Sequence, residues 1–373
     1  MIVNKSHLSW CLNIYPGESW ENTYDNIIQN APVVSDLLAK NALSQPHLKA
    51  KGLGLGMRIS DQTAKEMPQD ISHFKEKLTE LGLYVFTVNA FPFGNFHIKP
   101  VKQKVYYPDW SSQLRVDYTL RTAEILAQLV PDDTYGSIST VPVTYGKQLP
   151  ADAISNLMKT AAKLKRIEES TGKVIQLALE PEPDCFLERT DEAIEFFNIL
   201  RNEDQQLAER YLGICLDTCH MALQFEKPID SLNRLIAAKV PIPKIQISSV
   251  FSFDRDNFPS ENIRQYNEEV YLHQTLVKND RGITQFPDLG DALKADPNGE
   301  WRVHFHVPLY FTGNEKGIGS TSNLLDEAFM KRAFEVCEHL ETETYTYNVL
   351  PGAEINVNES IAKELLFVLE RLK

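Results

Sequence analysis

ICLDTCHMAL, residues 214–223, contains the change of pattern on which the fold turns. An apolar run stops at Asp217, and the residues after it suit the first turn of a helix with Asp217 as its cap. A short run that is apolar on both alternating faces reads as a strand covered on both sides. Such a strand followed by a helix is the unit of a parallel α/β fold. Asp217, His220, Cys215 and Cys219 stand together at that junction. They are compatible with a zinc knuckle, with a helix cap and bystanders, or with one wall of a metal-dependent active site.

The same alternation runs outward in both directions. Apolar runs rich in β-branched and aromatic residues occupy 8–15, 53–59, 83–91, 136–143, 174–180, 212–217, 244–250, 301–311 and 342–349. Each is short enough for a strand. Between them, 155–170, 191–202, 263–280, 325–340 and 360–373 space their apolar residues by three and four, as helices do. Ser60 and Thr190-Asp191 stand at helix starts. The order predicts a closed (β/α)8 TIM barrel formed by a single domain over 1–373. Nine runs compete for eight places. We take 244–250 as the seventh strand and 342–349 as the eighth, which leaves WRVHFHVPLYF (301–311) within an insertion over about 250–311. GLGLG (52–56) lacks the second half of a dinucleotide-binding fingerprint, so its glycines are assigned to close packing in a strand.

Composition narrows the function. A length of 373 residues suits one α/β barrel. The formal net charge of −13 repels nucleic-acid backbone and anionic lipid, so neither is an expected partner. Five cysteines, at 11, 185, 215, 219 and 337, are too few and too scattered for a disulfide framework. MIVNKSHLSWCLNIY lacks the apolar core of a signal peptide, and no run has the length of a membrane span. A soluble, cytoplasmic protein is expected.

In a parallel barrel the functional groups come from the carboxyl ends of the strands. The second run ends at Arg58 and the third at Asn89. The fifth ends at Glu180, with Glu182 close behind, and the sixth at Asp217, with His220 in the turn. The seventh holds Gln246 and Ser248. His304 and His306 lie on 301–311, and Glu341 and Glu343 on the last run. A carboxylate at a buried strand end is costly unless a cation or several donors neutralise it. Three converging on one mouth call for one divalent metal, and oxygen ligands with an imidazole suit Mn, Mg, Co or Zn. Each residue alone has a plainer reading: Asp217 as a cap, His304 and His306 as a hydrogen-bonded pair, Glu341 and Glu343 as a solvated edge. Their joint occurrence at successive strand ends favours the metal site. Cys215 and Cys219, with no second thiol pair nearby, are read as buried reduced thiols.

LALEPEP, CLDTCHM, KIQISS and ETETYTYN resemble, in order, the strand ends of the xylose-isomerase-like TIM-barrel superfamily, whose sugar isomerases and epimerases hold a metal on Glu, Asp, His and Glu. A closer resemblance is to the EboE-type metabolite-traffic proteins. It rests on CLNIYPGESW, FTVNAFPFGNFH, VYYPDW, GSISTVPV, ALEPEPDCFLE, GICLDTCH, YLHQ, WRVHFHVPL and ETYTYNVLP, spread through nearly the whole chain. The resemblance implies Glu180, Asp217 and Glu343 as metal ligands, with His220 on the substrate. Gln246 stands where the superfamily commonly has a His, so either Gln246 or His306 supplies the fourth ligand. Glu180 and Glu343 would be the catalytic base and acid. His220, Arg58, Asn89, His97 and His304 would face a sugar, sugar phosphate or cyclitol-like polyol, with His97 and His273 towards the rim. A barrel that binds a metabolite without turnover and a metal-dependent phosphoesterase are the alternatives. Barrels of this kind also form homodimers.

Overall fold

A computed structural model describes residues 1–94, 102–255, 257, 263–267, 271–313, 317–347 and 356–373. Eight parallel strands form the frame: β2 (Ser6–Trp10), β3 (Leu53–Arg58), β4 (Leu83–Asn89), β5 (Gly136–Thr140), β6 (Ile175–Leu179), β7 (Leu212–Asp217), β8 (Lys244–Ile247) and, far along the chain, His339–Thr342. β1 (Ile2–Val3) adds a short antiparallel edge. The last strand pairs with both β2 and β8, and a parallel bridge between Cys11 and Gly56 links the ends of β2 and β3. The result is a nearly closed, mostly parallel nine-stranded sheet of the TIM-barrel class. Every residue of β7 is buried, as expected of a strand covered on both faces.

Between β8 and the final barrel strand the chain builds a second sheet. β9 (Ser249–Asp254), β10 (Thr275–Asn279), β11 (Gly282–Phe286), β12 (Glu300–Val307) and β13 (Ile318–Ser320) pair antiparallel in the order β11-β10-β12-β9-β13. The final barrel strand is therefore β14. Trp301, Phe251, Phe253 and Phe305 pack a separate apolar core under this sheet. The pairing of β12 with β9 shifts register between Val303 and His306. A bulge of this kind re-aims side chains, and here it falls on the His304–His306 segment.

Three expectations are corrected. The described residues of 263–280 do not form a helix: a 3-10 turn at Arg264–Tyr266 precedes β10, whose Thr275–Val277 segment gains strand partners on both sides. Tertiary pairing there overrides a helical spacing. The eighth barrel strand is not 342–349 but His339–Thr342. The preceding helix stops at Val336 rather than 340, because His339 and Glu341 find polar partners inside the barrel. The stretch 301–311 is a strand only to Val307, since Pro308 cannot donate to a ladder. Among the described residues, no helix is long and apolar enough to cross a membrane.

The barrel interior holds charge. Lys244 Nζ lies 2.5 Å from Glu341 Oε1 and 3.2 Å from Ser139 Oγ, with both charged side chains fully buried. Burial opposes the ammonium, but Glu341 and the neighbouring thiols outweigh it, so the Lys244 pKa is raised. Gly56 makes the room: a Cβ there would stand 1.9 Å from Glu341 Oε2. This is the packing role expected for the GLGLG glycines.

Candidate metal centre

The carboxyl ends of the strands open on a cleft. Glu180 follows β6 directly, Asp217 ends β7 and Glu343 follows β14. Asp217 is both cap and wall. Its Oδ1 accepts from the His220 backbone N–H (3.0 Å) and the Ser248 hydroxyl (2.7 Å), while Oδ2 has no partner. Glu343 is held the same way: Oε1 accepts from the Asn13 (2.9 Å) and Asn89 (3.3 Å) amides, and Oε2 has no partner. Glu180 Oε2 is also unmatched. One oxygen from each of the three lies within 4.8 Å of the others, and all three residues are buried. Burial, then the mutual repulsion of these carboxylates, pushes the Glu180 and Glu343 pKa values well up. Glu182 is raised in the same way. A buried charge without a partner is what a bound cation relieves, and the residues present fit one.

Imidazoles form the adjoining wall. His306 Nδ1 lies 3.0 Å from the Glu343 carbonyl oxygen, which only accepts, so Nδ1 carries the proton and Nε2 is bare in the neutral ring. That Nε2 is 3.2 Å from His220 Nε2. His220 in turn sits 3.8 Å from Glu180, 3.9 Å from Asp217 and 3.5 Å from Glu182. Burial holds the pKa of His220, His304 and His306 below the usual imidazole value. Neutral imidazole is the metal-binding form.

Of the residues singled out from sequence, Asn89, Glu180, His220, His304, His306 and Glu343 line the cleft, and Asp217 joins two of its clusters. Gln246 is not among the lining residues; its Oε1 accepts from the Cys215 thiol at 2.9 Å. Arg58 is drawn elsewhere. Its guanidinium donates to Gly17 O, Gly94 O and the Glu18 carboxylate, and it lines a different cavity. The terminal position of Arg58 on β3 was legible; capture by those loops was not. His273 is buried behind the site rather than at the rim, stacked on Phe305, with Nδ1 2.9 Å from the His304 carbonyl. His97 lies outside the described residues. The five cysteines are free and buried, and no metal-capable group among the described residues joins Cys215 to Cys219.

Sequence reasoning gave no role to Asn13, Tyr106, Glu182, Gln274 or Tyr345. Asn13 follows the first barrel strand closely, so the strand-end rule applied to that strand would have found it. Glu182 is two residues beyond Glu180 in the P-E-P turn. Gln274 was hidden by the helical reading of its segment, and Tyr106 and Tyr345 carry no signal that separates them from packing aromatics.

Residues 49–299, more than half of the chain, match the family described as xylose isomerase-like TIM barrel. No curated protein matches the chain. Among solved structures, it is similar to a xylose isomerase domain containing protein from Salmonella typhimurium (14% identity, 99% of each chain covered, TM-score 0.47). It is also similar to a xylose isomerase-like TIM barrel protein from Mycobacterium smegmatis in complex with magnesium (10% identity, 90% of each chain, TM-score 0.47). A third similar structure is the IolI protein with a binding zinc atom (13% identity, 91% of this chain and 97% of that one, TM-score 0.46).

Proposed function

Because the chain belongs to the xylose isomerase-like TIM barrels, we propose that its cleft is a metal-dependent isomerase or epimerase site for a small polyhydroxylated metabolite: a sugar, sugar phosphate or cyclitol. The observation that carries this reading is the convergence of Glu180, Asp217 and Glu343, each buried and each with one oxygen unmatched. These three would hold a divalent ion. Such an ion, when bound, supplies Lewis-acid polarisation of a substrate carbonyl or hydroxyl. His306 stands beside them as the nitrogen donor.

The chain's own residues do the rest. Asn13 and Asn89 fix Glu343 through Oε1, leaving Oε2 to take or give a proton; Ser248 fixes Asp217. Glu180 Oε2 is the second proton carrier, so one carboxylate serves as base and the other as acid. Phe91, Tyr106, Tyr271 and Tyr345 wall the cleft and exclude water. Asn89 and His220 orient substrate hydroxyls. The resemblance to EboE-type proteins extends the reading to a metabolite biosynthesis or export pathway.

The test is solvent deuterium exchange into a panel of sugars, sugar phosphates and cyclitols, with Glu180→Gln beside the wild type. Exchange at a carbon next to a carbonyl, abolished in the variant while ligand binding persists, supports the proposal. Tight binding with no exchange in the wild type rejects it in favour of a metabolite-binding barrel.

A further inference from the structure

We infer that Glu364, on the C-terminal helix, is a positioning residue for the cleft: its carboxylate ties together the two chain segments that deliver Glu343 and His306. The inference rests on the metal site proposed above and goes beyond it, since Glu364 is not among the residues that line the cleft.

The helix Val357–Glu370 buries Ile361, Leu365 and Val368, and Glu364 is buried with them. Packing alone would be served by another apolar residue there. An acid so placed is costly unless donors meet it, and three do. Oε1 accepts from the Leu309 backbone N–H at 3.0 Å and from the Thr344 hydroxyl at 2.6 Å, and Oε2 accepts from the Tyr347 phenol at 2.5 Å. The donors belong to two stretches of chain that both feed the cleft. Leu309 lies just past the end of β12, which carries His306. Thr344 follows Glu343 directly, and Tyr347 stands further along the same stretch. One carboxylate thus holds both.

These stretches need such a tie. β12 ends at Val307 and β14 at Thr342, so Leu309 and Glu343–Tyr347 lie beyond the named strands. Side chains take over from the ladders. His306 Nδ1 donates to the Glu343 carbonyl at 3.0 Å, and the Thr346 hydroxyl donates to the His306 carbonyl at 2.7 Å. Those two bonds join the stretches to each other, and Glu364 anchors the joined pair to the helix. Tyr345, which lines the cleft with its ring centre 4.6 Å from that of His306, rides on the same stretch. Partners standing behind metal ligands fix their orientation, and losing one weakens metal binding by about 10–100-fold. Glu364 acts through backbone segments rather than on a ligand side chain, which places it at the lower end of that range.

The test separates affinity from stability. Zn²⁺ affinity of the metal-free protein is measured by competition with a chromophoric chelator at pH 8, above the Glu364 value of about 7. Circular dichroism checks folding and urea denaturation gives stability. The variants are Glu364→Leu, which removes every acceptor, and Glu364→Gln, which keeps one for Leu309 and Thr344. Glu364→Leu should bind Zn²⁺ about 10-fold more weakly while folded, and Glu364→Gln should recover most of that loss. A residue that only held the fold together would lower the urea midpoint and leave the affinity of the folded protein alone. Wild-type affinity in folded Glu364→Leu therefore overturns the positioning role and leaves the proposed function standing. Equal losses in the two variants would make charge, not the tie, the cause and overturn it as well. Folded wild type that binds no Zn²⁺ overturns both readings. Should Glu364→Leu not fold, Thr344→Val, which removes the bond nearest Glu343, decides by the same comparison: weaker binding supports the tie and unchanged binding overturns it.

Discussion

Glu341 on β14 and Glu343 just beyond its end are two residues apart and meet opposite treatment. Glu341, in the barrel interior, faces the ammonium of Lys244 at 2.5 Å. Glu343, at the mouth, is steadied through Oε1 by two amides, and its Oε2 has no hydrogen-bond partner. Both are buried. The interior carries its own counter-charge, and the mouth does not. A barrel strand can thus spend one carboxylate on structure and the next on a ligand, and only the partner atoms tell them apart.

The contrast is broken most severely at the interior pair. Removing one partner of a buried ion pair strands the other. Lys244→Met should therefore lower unfolding free energy by about 3–5 kcal/mol. Lys244→Met with Glu341→Leu should recover most of that loss. Urea denaturation of the three proteins checks it, and a single variant as stable as wild type would show that the pair carries no structural charge balance.

Glu364 is an intermediate case. It is buried without a cation, but its oxygens accept from the Leu309 N–H (3.0 Å), the Thr344 hydroxyl (2.6 Å) and the Tyr347 phenol (2.5 Å). Burial outweighs those donors and raises its pKa to about 7. An acid raised in the folded state binds its proton more tightly there than in the unfolded chain. Its contribution is full below the unfolded value and is lost as pH rises towards about 7. Glu364→Gln mimics the protonated acid. It should match wild type at pH 4.5 and exceed it by about 3 kcal/mol at pH 8. Parallel denaturation curves at the two pH values would refute this.

At the mouth the sign reverses relative to the interior. In metal-free protein Glu343→Gln keeps a carbonyl for Asn13 and Asn89 and removes an unmatched charge. Stability should rise by about 1–3 kcal/mol. With Zn²⁺ present the order should invert, because a ligand bound only by the folded state at 100 times its Kd adds about 2.7 kcal/mol. Thermal melts with and without Zn²⁺ read both halves. Loss of stability in the metal-free variant would place Glu343 with the structural carboxylates.

These comparisons also show what was readable from the chain. Asp217 and Glu180 end apolar runs, so their place at the mouth followed from the barrel's polarity alone. His304 and His306 were visible as a pair. The proton on His304, however, depends on Gln274, whose amide nitrogen donates to the Pro183 carbonyl at 3.3 Å and so turns its oxygen to His304 Nδ1 at 2.8 Å; both residues are distant in sequence, and Gln274 lies in a segment whose spacing imitates a helix. Arg58 was read towards the substrate because strand ends point there, yet Glu18 and two backbone carbonyls had already taken its guanidinium. The eighth strand was displaced because TETYTYNV alternates like a strand, although its Glu343–Tyr347 part lies outside β14. In each case the misreading came from long-range partners, which local pattern does not encode.

The smallest effect belongs to a surface pair of the same chemistry. Arg255 meets Asp296 through two contacts of 2.7 and 2.9 Å, with side chains 23% and 40% exposed. Its geometry is better than that of Lys244 and Glu341, since a guanidinium fork matches both carboxylate oxygens. Geometry alone would rank it first. Water reverses the order, because an exposed pair gives up little hydration and is screened by salt. Asp296→Asn, which suits the left-handed backbone at this position (φ 44°), should cost less than about 1 kcal/mol, and the cost should vanish in 1 M NaCl. The interior pair should lose none of its effect at that salt concentration. If the two pairs responded alike to salt, the interior of the barrel would be open to solvent, and its charges would need no partner of their own.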